Sequence, residues 1–476
     1  EHDATEYDFS HDKIREVAYA ELSQTRRRWL HRRVAQALVV RHPSNIEAFS
    51  GKIANHYEMA QMPQEAILYY MLAAKAAQHL FANAEAISTI RRALQLLDTV
   101  PVIDTSEWKK EITAKLHENL GDLLHFTAQY DEARAAYGVG QTAVTDPISL
   151  CRLQRKTGST YLPQHHYDQA LQQFEQAKSS LGPEPTTSDV YWWREWIDLQ
   201  QERKYLFYWL NEWPEISAIL EESRPILARY GTPKQRAYFF DPTMFLPRDR
   251  YTVSDEMMNN TREWFAANAA LNDPTRKGSV HFIFGFTLLW YGNFAEAEEM
   301  MQTALTIAEQ TGDLTLCARC HTYLTITYRK QHLVEKVRDH IAPSLAAAEA
   351  ATMPEYVATA KANMAWVAWC EGDAQLVQES GRSALTLWQT LPPGHASVVS
   401  QWTARFPMMA LALTESNFGE AISHVQAILE PHQQKLPQAL TTVLENALRS
   451  WQQNQPAKTA KHLAQALNLA QHFRYL

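Results

Sequence analysis

A short pattern recurs about every forty residues along this chain: an aromatic residue is followed three positions later by alanine. The four clearest copies are Ala-Gln-Tyr-Asp-Glu-Ala at 128–133, His-His-Tyr-Asp-Gln-Ala at 165–170, Gly-Asn-Phe-Ala-Glu-Ala at 292–297 and Ser-Asn-Phe-Gly-Glu-Ala at 416–421. Seven residues before each copy stands a small or flexible residue, and four residues after each alanine stands a bulky one. The first set is Gly121, Gly158, Gly285 and Met409, and the second is Tyr137, Phe174, Met301 and Val425. Small residues where antiparallel helices cross let them approach to about 8–10 Å, so the pattern indicates stacked helical hairpins.

This pattern resembles the tetratricopeptide repeat. Its register gives small or aliphatic hinge positions at Ala66, Ala86, Ala133, Ala170, Ile216, Ala297, Val337, Val377, Ala421 and Ala460. From Ala133 onward the steps exceed the usual period of about 34 residues, which predicts extra helical turns. The long gap after Ile216 predicts a degenerate repeat around Asp255–Leu271. The predicted fold class is all-α, a tetratricopeptide-like superhelix with repeats of roughly 40 residues and about ten hairpins over residues 46–476.

Composition agrees with a helical chain and excludes several other classes. Only 15 of the 476 residues are glycine, which argues against a turn-rich β protein. The apolar stretches are shorter than the roughly 20 residues of a membrane span. The four cysteines do not form a disulfide framework, and the acidic N-terminus lacks the features of a signal peptide, so we predict a cytoplasmic location. The net charge of −8 gives no reason to expect direct nucleic-acid binding.

One stretch departs from the repeat. Residues 230–251 are spaced by prolines and rich in aromatic side chains, among them Tyr238, Phe239, Phe240 and Phe245. Proline interrupts helices, so we predict either a half-extended insertion or a distorted helix here.

The N-terminal segment resembles a known junction. Residues 9–22, followed by Arg26-Arg-Arg-Trp-Leu-His-Arg-Arg-Val-Ala-Gln-Ala-Leu38, resemble the end of the winged-helix domain in bacterial STAND-type signalling ATPases. Further matches to that family are Ala54-Asn-His-Tyr57, Asn83-Ala-Glu-Ala-Ile87, Gly285-Phe-Thr-Leu-Leu-Trp-Tyr-Gly292, Cys320-His-Thr-Tyr-Leu324 and Ala362-Asn-Met-Ala-Trp-Val-Ala-Trp369. The family includes LuxR-type and antibiotic-regulator-type transcription activators and cyclase-linked sensors. We therefore divide the chain into a winged-helix remnant and linker at 1–45 and the repeat region at 46–476.

The resemblance implies a role for the chain. In this family the repeats receive an inducer or partner and release an ATPase module, and a winged-helix histidine, His11 in this sequence, can contact the nucleotide phosphate. The sequence contains no Gly-x-x-x-x-Gly-Lys-Ser/Thr, so ATP or ADP is expected on a nucleotide-binding module outside this chain, and no cofactor within it. The chain is accordingly expected to be a sensor fragment.

We find no pattern that predicts catalysis or a metal site. Cys317-Ala-Arg-Cys320-His321 matches the haem attachment motif, but that chemistry needs an exported chain, and cysteine on a helix behaves as a small apolar residue. His165 and His166 are predicted to form a turn between helices. The chain is therefore predicted not to be an enzyme.

A ligand is predicted on the inner face, which the first helix of each hairpin lines. Aromatic rings there can stack on flat groups or sugars, and arginine can bind carboxylate or phosphate. The candidate contacts are Arg152, Arg155, Gln201, Tyr205, Trp209, Phe282, Phe286, Trp290, Arg319, Arg329, Trp366 and Trp369. Aromatic residues at helical spacing are also typical of a core, and both interpretations stay open.

The sequence is consistent with two main functions. The first is the sensor region of a STAND-type regulator that binds a small-molecule inducer, a protein or a peptide in its concave groove. The alternative is a stand-alone scaffold for protein–protein interaction. An enzyme built on a solenoid is a third, weaker hypothesis. None of these involves a membrane.

Overall fold

The computed structural model describes residues 16–17, 19–101, 106–185, 189–246, 248–271, 273–391 and 399–476. In this part of the chain all regular secondary structure is helical, with 22 α-helices and no strand. The helices are α1 Gln24–Arg41, α2 Ile46–Met59, α3 Pro63–His79, α4 Asn83–Thr99, α5 Ser106–Phe126, α6 Tyr130–Ala143, α7 Pro147–Ser159, α8 Tyr167–Leu181, α9 Val190–Leu210, α10 Trp213–Tyr230, α11 Pro233–Phe239, α12 Asp255–Ala270, α13 Pro274–Tyr291, α14 Phe294–Thr311, α15 Leu314–Lys330, α16 Val334–Ala350, α17 Pro354–Glu371, α18 Ala374–Gln389, α19 Trp402–Thr414, α20 Phe418–Ile428, α21 Gln438–Gln452 and α22 Pro456–His472. None of the described helices is both long and apolar enough to cross a bilayer.

The predicted small positions share one place in their helices. Nine of the ten are buried and stand fourth in a helix, from Ala66 in α3 to Ala421 in α20. The tenth prediction, Ala460, was wrong by one residue, because Thr459 is the fourth residue of α22 and is fully buried, whereas Ala460 is half-buried. In α22 the alanine stands fifth in the helix instead of fourth, and threonine is small enough to occupy the position where the two helices cross.

The glycines that precede the pattern accept the bulky residues that follow it. A Cβ atom added at Gly158 would lie 2.5 Å from Cε1 of Phe174, and one added at Gly285 would lie 2.9 Å from Cγ of Met301. Real carbon atoms do not approach so closely, so only glycine allows the second helix of the hairpin to pack at this distance. The predicted pairing of small and bulky positions is confirmed.

The chain forms two compact units. Unit 1 comprises Glu1–Leu124 and Asp131–Thr145, and within it consecutive helices from α1 to α4 pack side by side. A core of Ala35, Ile53, Tyr57 and Ala66 joins α1 to α2 and α3. Residues 1–15 and 18, including His11, lie outside the described residues, so the winged-helix assignment and the boundary at residue 45 stay predictions.

Unit 2 comprises His125–Tyr130 and Asp146–Leu476. Consecutive helices pack here too, and first helices also pack on one another: α13 contacts α15, α15 contacts α17, and α17 contacts α19. These inner helices are therefore covered on several sides, and α15 buries every residue from Leu324 to Lys330. The second helices bury a single stripe, as α18 does with Val377, Ala384 and Trp388. This is the arrangement of stacked hairpins.

The described residues of 230–251, which we call the irregular stretch, form a short α-helix and a 3₁₀ helix joined by turns. Of the two predicted alternatives, this fits the distorted helix better than the half-extended insertion. Thr232 caps α11 through a reciprocal hydrogen-bonded box with Gln235. After Phe240 the chain turns into a 3₁₀ helix, Pro242–Phe245, which Asp241 caps. Next comes α12, Asp255–Ala270, a single helix in the region where a degenerate repeat was predicted around Asp255–Leu271.

Candidate functional site

A cavity of about 160 Å³ lies inside unit 2, and we call it the aromatic cavity. Residues from α9, the irregular stretch, α13 and α15 line it, together with three residues from turns. The lining consists of Leu162, Pro163, Tyr205, Tyr208, Trp209, Tyr238, Asp241, Thr243, Met244, Ser279, Phe282, Ile283, Phe286, Thr315, Arg319 and Met353. Because these elements belong to different hairpins, the cavity exists only when the hairpins are stacked.

Helical spacing explains the aromatic wall. Phe282 and Phe286 are four residues apart on α13 and therefore share a face, and their rings stack with centroids 5.8 Å apart. Tyr323 of α15 meets Phe286 edge to face, with centroids 4.6 Å apart. Phe282 and Phe286 are almost completely buried, so the wall is rigid and apolar.

Arg319 brings a positive charge into this apolar wall. Its guanidinium carbon lies 4.3 Å above the centroid of the Phe282 ring. Among the described residues its side chain forms no ion pair and no hydrogen bond, and its Nε atom is buried without an acceptor. The Asp241 and Asp313 carboxylates act on it only at longer range. Burial acts to lower the pKa of Arg319, but the surrounding tyrosines, Tyr356 and Tyr323 foremost, raise it overall. The cavity thus offers a charged guanidinium with free donors, which suits carboxylate, phosphate or carbonyl oxygens.

Asp241, the acidic residue of the lining, is already engaged. Its Oδ1 atom accepts hydrogen bonds from the Thr243 amide at 2.8 Å and the Thr243 hydroxyl at 2.7 Å. The Tyr205 hydroxyl lies 3.4 Å from its Oδ2 atom and 3.2 Å from the Tyr238 hydroxyl. Burial raises the pKa of Asp241 although Thr243 and Lys204 oppose the shift. Asp241 therefore fixes the irregular stretch and shapes the wall.

Lys204 attaches the irregular stretch to α9. Its side chain is fully buried, and its amine donates to Gln201 Oε1 at 3.1 Å and to the Phe239 carbonyl. The amine also lies 4.5 Å from the centroid of the Phe239 ring. Burial lowers the pKa of Lys204 to about 7, although Asp241 and Glu202 act in the opposite direction. Gln201, one of the predicted ligand contacts, serves here to hold Lys204.

The structure brings five of the predicted contacts together. Tyr205, Trp209, Phe282, Phe286 and Arg319 all line the aromatic cavity. Their predicted role as ligand contacts stays a prediction, but their convergence agrees with it.

Two predicted arginines are committed to other partners. Arg155 forms a buried ion pair with Glu195, with Nε 2.7 Å from Oε1, and its Nη2 atom lies 3.8 Å from Asp198 Oδ2. Arg152 donates to the Ser149 hydroxyl at 3.1 Å. Neither residue lines the aromatic cavity.

The remaining predicted contacts lie elsewhere in unit 2. Trp366 is fully buried and Arg329 is 2% exposed, and Arg329 lies 5.3 Å above the Trp366 ring, so both belong to the core. Trp369 packs, partly buried, against Ala368, Val377 and Met408. Trp290 lines a second cavity at the far end of α13. The register therefore did not separate residues of the core from residues that line a cavity.

The lining residues that were not among the predicted contacts include Tyr238, Asp241, Thr243 and Met244. These four belong to the one stretch that departs from the repeat, where the helical register cannot be extended. That departure, with its aromatic residues and prolines, was the available signal, because functional segments are often the ones that break a regular pattern.

No protein-family model and no curated protein matches this chain. Among solved structures, a Rap protein complexed with competence and sporulation factor aligns with 77% of this chain and 97% of its own, at a TM-score of 0.51 and 11% identity. A signal-transduction ATPase with numerous domains and a tetratricopeptide-repeat sensor, from Pyrococcus horikoshii, aligns with 93% of this chain and 67% of its own, at a TM-score of 0.45 and 12% identity. Aspartyl phosphate phosphatase F from Bacillus subtilis aligns with 87% of this chain and 97% of its own, at a TM-score of 0.34 and 11% identity. Together with the helix packing, the likeness to the Rap protein confirms the predicted fold class: the chain has an all-α, tetratricopeptide-like fold.

Proposed function

We propose that unit 2 is a sensor that binds a ligand bearing an acidic group in the aromatic cavity. The observation that carries this proposal is Arg319, a charged side chain that faces the cavity and forms no ion pair with Asp241 or with any other described residue. Leaving a buried donor unsatisfied costs about 1–3 kcal/mol, and more for a charged group, and an acidic ligand would remove that cost. The aromatic wall would contact the apolar part of the same ligand.

The size of the cavity limits what enters it. About 160 Å³ is below the range of roughly 300–1,000 Å³ that is usual for drug-sized ligands. A compact inducer could enter whole, whereas a protein or peptide would insert one acidic side chain or terminus as an anchor. The Rap protein of similar fold was solved with competence and sporulation factor, so a helical-repeat fold of this kind can receive a partner.

Binding would affect how the hairpins stack. The lining comes from α9, α13, α15 and the irregular stretch, and a ligand that contacts all of them stabilises the arrangement in which they converge. A ligand shifts a conformational equilibrium by its difference in affinity for the two states. The cavity can thus report occupancy to a module outside this chain.

We further propose that this module is the ATP- or ADP-binding part of a STAND-type regulator. The support is the sequence resemblance of residues 9–38 and of the repeat motifs. In this proposal the chain binds and relays but does not catalyse, and Asp241, already engaged by Thr243, keeps a structural role. The reading frame upstream of Glu1 tests the assignment: it must encode a Gly-x-x-x-x-Gly-Lys-Ser/Thr motif, and its absence would favour the stand-alone scaffold.

A ligand screen tests the cavity itself. Dicarboxylic acids, sugar phosphates and acidic peptides, each beside a neutral analogue, are added to the 476-residue chain and to its Arg319→Gln variant, and the melting temperature is recorded. Acidic compounds that bind should raise the melting temperature of the wild type by mass action and should lose that effect in Arg319→Gln. Arg382→Gln, on the exposed face of α18, is the matched control. Equal stabilisation of the wild type and Arg319→Gln would contradict the proposal.

A further inference from the structure

A second cavity in unit 2 is distinct from the aromatic cavity and about three times larger. It has a volume of about 480 Å³, and we call it the lysine cavity. It is lined by residues 251–253, the end of α13, the start of α14, the end of α15, residues 434–438 and the turn after α22. Its size falls within the usual range for small-molecule sites. The two cavities share no lining residue.

Lys330 is the most unusual residue of this lining. Its side chain is 7% exposed, and its amine lies 3.3 Å from the centroid of the Tyr475 ring and 4.6 Å from that of Trp402. Among the described residues the Lys330 amine has no hydrogen bond and no ion pair. Its recorded contacts are with the faces of the Tyr475 and Trp402 rings. Burying an ammonium group without a counter-ion is costly.

Nearby charges increase that cost. Burial lowers the pKa of Lys330 well below its ordinary value, and the positive charges of Arg329 and Arg474 lower it further. Lys435 stands exposed at the cavity and adds a second amine to the lining. The described lining residues include no aspartate or glutamate, so an anion bound here would meet two amines and no carboxylate, and it would favour the charged form of Lys330.

A second donor without a partner lies in the same lining. The indole Nε1 atom of Trp290 is buried and has no acceptor. The Trp290 ring meets Tyr251 edge to face at 5.8 Å, so it is held in place. Buried donors are nearly always satisfied in proteins, and an unsatisfied one calls for an explanation. Here one such donor, Trp290 Nε1, lines the same cavity as the Lys330 amine, which has no counter-ion, and the cavity has ample room for an acceptor.

We propose that the lysine cavity is a second ligand site, for a molecule that joins a carboxylate or phosphate to an aromatic or apolar body. The anionic group would accept hydrogen bonds from the Lys330 amine and the Trp290 indole. The body would contact aromatic residues of the lining such as Tyr251 and Phe294. The site is separate from the acidic-ligand site at Arg319, so its occupant can bind independently or act as a second signal.

The test uses three probes and the 476-residue chain. Indole-3-propionate and phenyl phosphate carry the two anionic groups, and indole-3-propionamide is the neutral analogue. Affinity is measured by isothermal titration calorimetry for the wild type, Lys330→Met, Trp290→Phe and Arg319→Gln. Lys330→Met keeps the length of the side chain and removes a buried amine that has no counter-ion, so its melting temperature should equal or exceed that of the wild type.

We expect at least one anionic probe to bind the wild type and Arg319→Gln alike. Its affinity should fall at least tenfold in Lys330→Met and several-fold in Trp290→Phe, which retains a ring but lacks the donor. The neutral amide should bind at least tenfold more weakly than indole-3-propionate. Whichever anionic probe binds more tightly identifies the preferred group. Binding that survives Lys330→Met, binding that disappears in Arg319→Gln, or failure of both anionic probes to bind at millimolar concentration would overturn the proposal.

Discussion

His165 and Glu355 are 190 positions apart in the sequence, and their side chains form a hydrogen bond of 2.7 Å between Nε2 and Oε2. Both side chains are almost fully buried. The other ring nitrogen of His165 lies 2.5 Å from the Tyr167 hydroxyl, so the imidazole links the turn between α7 and α8 to the start of α17. The neighbouring residues Pro163 and Met353 line the aromatic cavity, and this contact therefore holds one side of the candidate site in place.

Loss of this contact should destabilise unit 2. His165 has a left-handed backbone, with φ of 58°, so asparagine is the appropriate substitute because it tolerates that conformation. We expect His165→Asn to lower the free energy of unfolding by about 1–3 kcal/mol, since the buried Glu355 carboxylate loses its donor. Urea denaturation measures the change. His166→Ala, at the exposed neighbouring histidine, should stay within about 0.5 kcal/mol of the wild type. Equal effects of the two substitutions would show that the His165–Glu355 contact is not stabilising.

The close helix crossing of the repeat predicts opposite effects for two glycines of unit 1. A Cβ atom added at Gly121 would lie 2.6 Å from Cδ1 and 2.8 Å from Cζ of Tyr137, whereas one added at Gly138 would meet nothing within 4 Å. Gly121→Ala should therefore cost about 1–3 kcal/mol through overpacking. Gly138→Ala should stabilise by about 0.5–1 kcal/mol, because alanine is the better helix former. Thermal unfolding of both variants measures the difference, and a destabilised Gly138→Ala or a neutral Gly121→Ala would contradict the packing described here.

The repeat register could be predicted from sequence because each hairpin repeats the same local geometry. A small residue in the fourth position of a second helix is required wherever two helices cross closely, and this requirement is visible in one sequence. The same register predicted that Phe282 and Phe286 share one face of α13, since positions four apart on a helix lie together. It assigned Arg319 of α15 to the same inner surface of the repeat. The sequence of one helix therefore predicts which of its residues are small crossing positions and which share a face.

The partners of each inward residue could not be predicted. Arg155 and Arg319 look alike in the register, but Arg155 meets Glu195 of α9, while Arg319 meets aromatic rings. Those contacts depend on how neighbouring hairpins stack, which no local pattern encodes. Asp241 was missed for a related reason, since the 3₁₀ turn that carries it has no helical period to extend.

Arg329 should hold the last described turn of the chain. Its guanidinium donates to the Thr403 carbonyl at 2.8 Å and to the Tyr475 carbonyl at 3.2 Å, and burial lowers the pKa of Arg329 to about 9. Arg329→Met would leave these carbonyls without their donor. We expect faster hydrogen exchange at the amides of Tyr475 and Leu476, which bond to the Ala470 carbonyl.

Hydrogen-exchange mass spectrometry of peptides from the C-terminal turn measures this effect. Arg474→Gln is the matched control, because Arg474 is exposed and adjoins Tyr475 in the sequence. Exchange in α7 and α8 should remain unchanged in both variants. If Arg329→Met leaves the exchange of the C-terminal turn at the wild-type rate, the role assigned to Arg329 is wrong.

Lys204 should make the stability of unit 2 depend on pH. Burial lowers its pKa to about 7 in the folded state, against about 10.4 in an unfolded chain. Between these values the unfolded state binds more protons than the folded state, so the contribution of Lys204 to the free energy of unfolding increases as pH rises from 7 toward 10. Burial raises the pKa of the neighbouring Asp241 and Glu202, and their contributions change with pH in the opposite sense, mainly at lower pH.

Comparison with Lys204→Met isolates the lysine. This substitution also leaves the Phe239 carbonyl without its donor, but that cost is constant with pH, so the slope is the informative quantity. From pH 7 to 9.5 the wild type should gain stability relative to Lys204→Met, by up to about 1.4 kcal/mol per pH unit for one proton. Urea denaturation across this range measures both slopes, with exposed Lys458→Met as the control for removal of one charge. Parallel curves for the wild type and Lys204→Met would mean that Lys204 keeps its proton in the folded protein, in which case the irregular stretch is held by a charged amine rather than a neutral one.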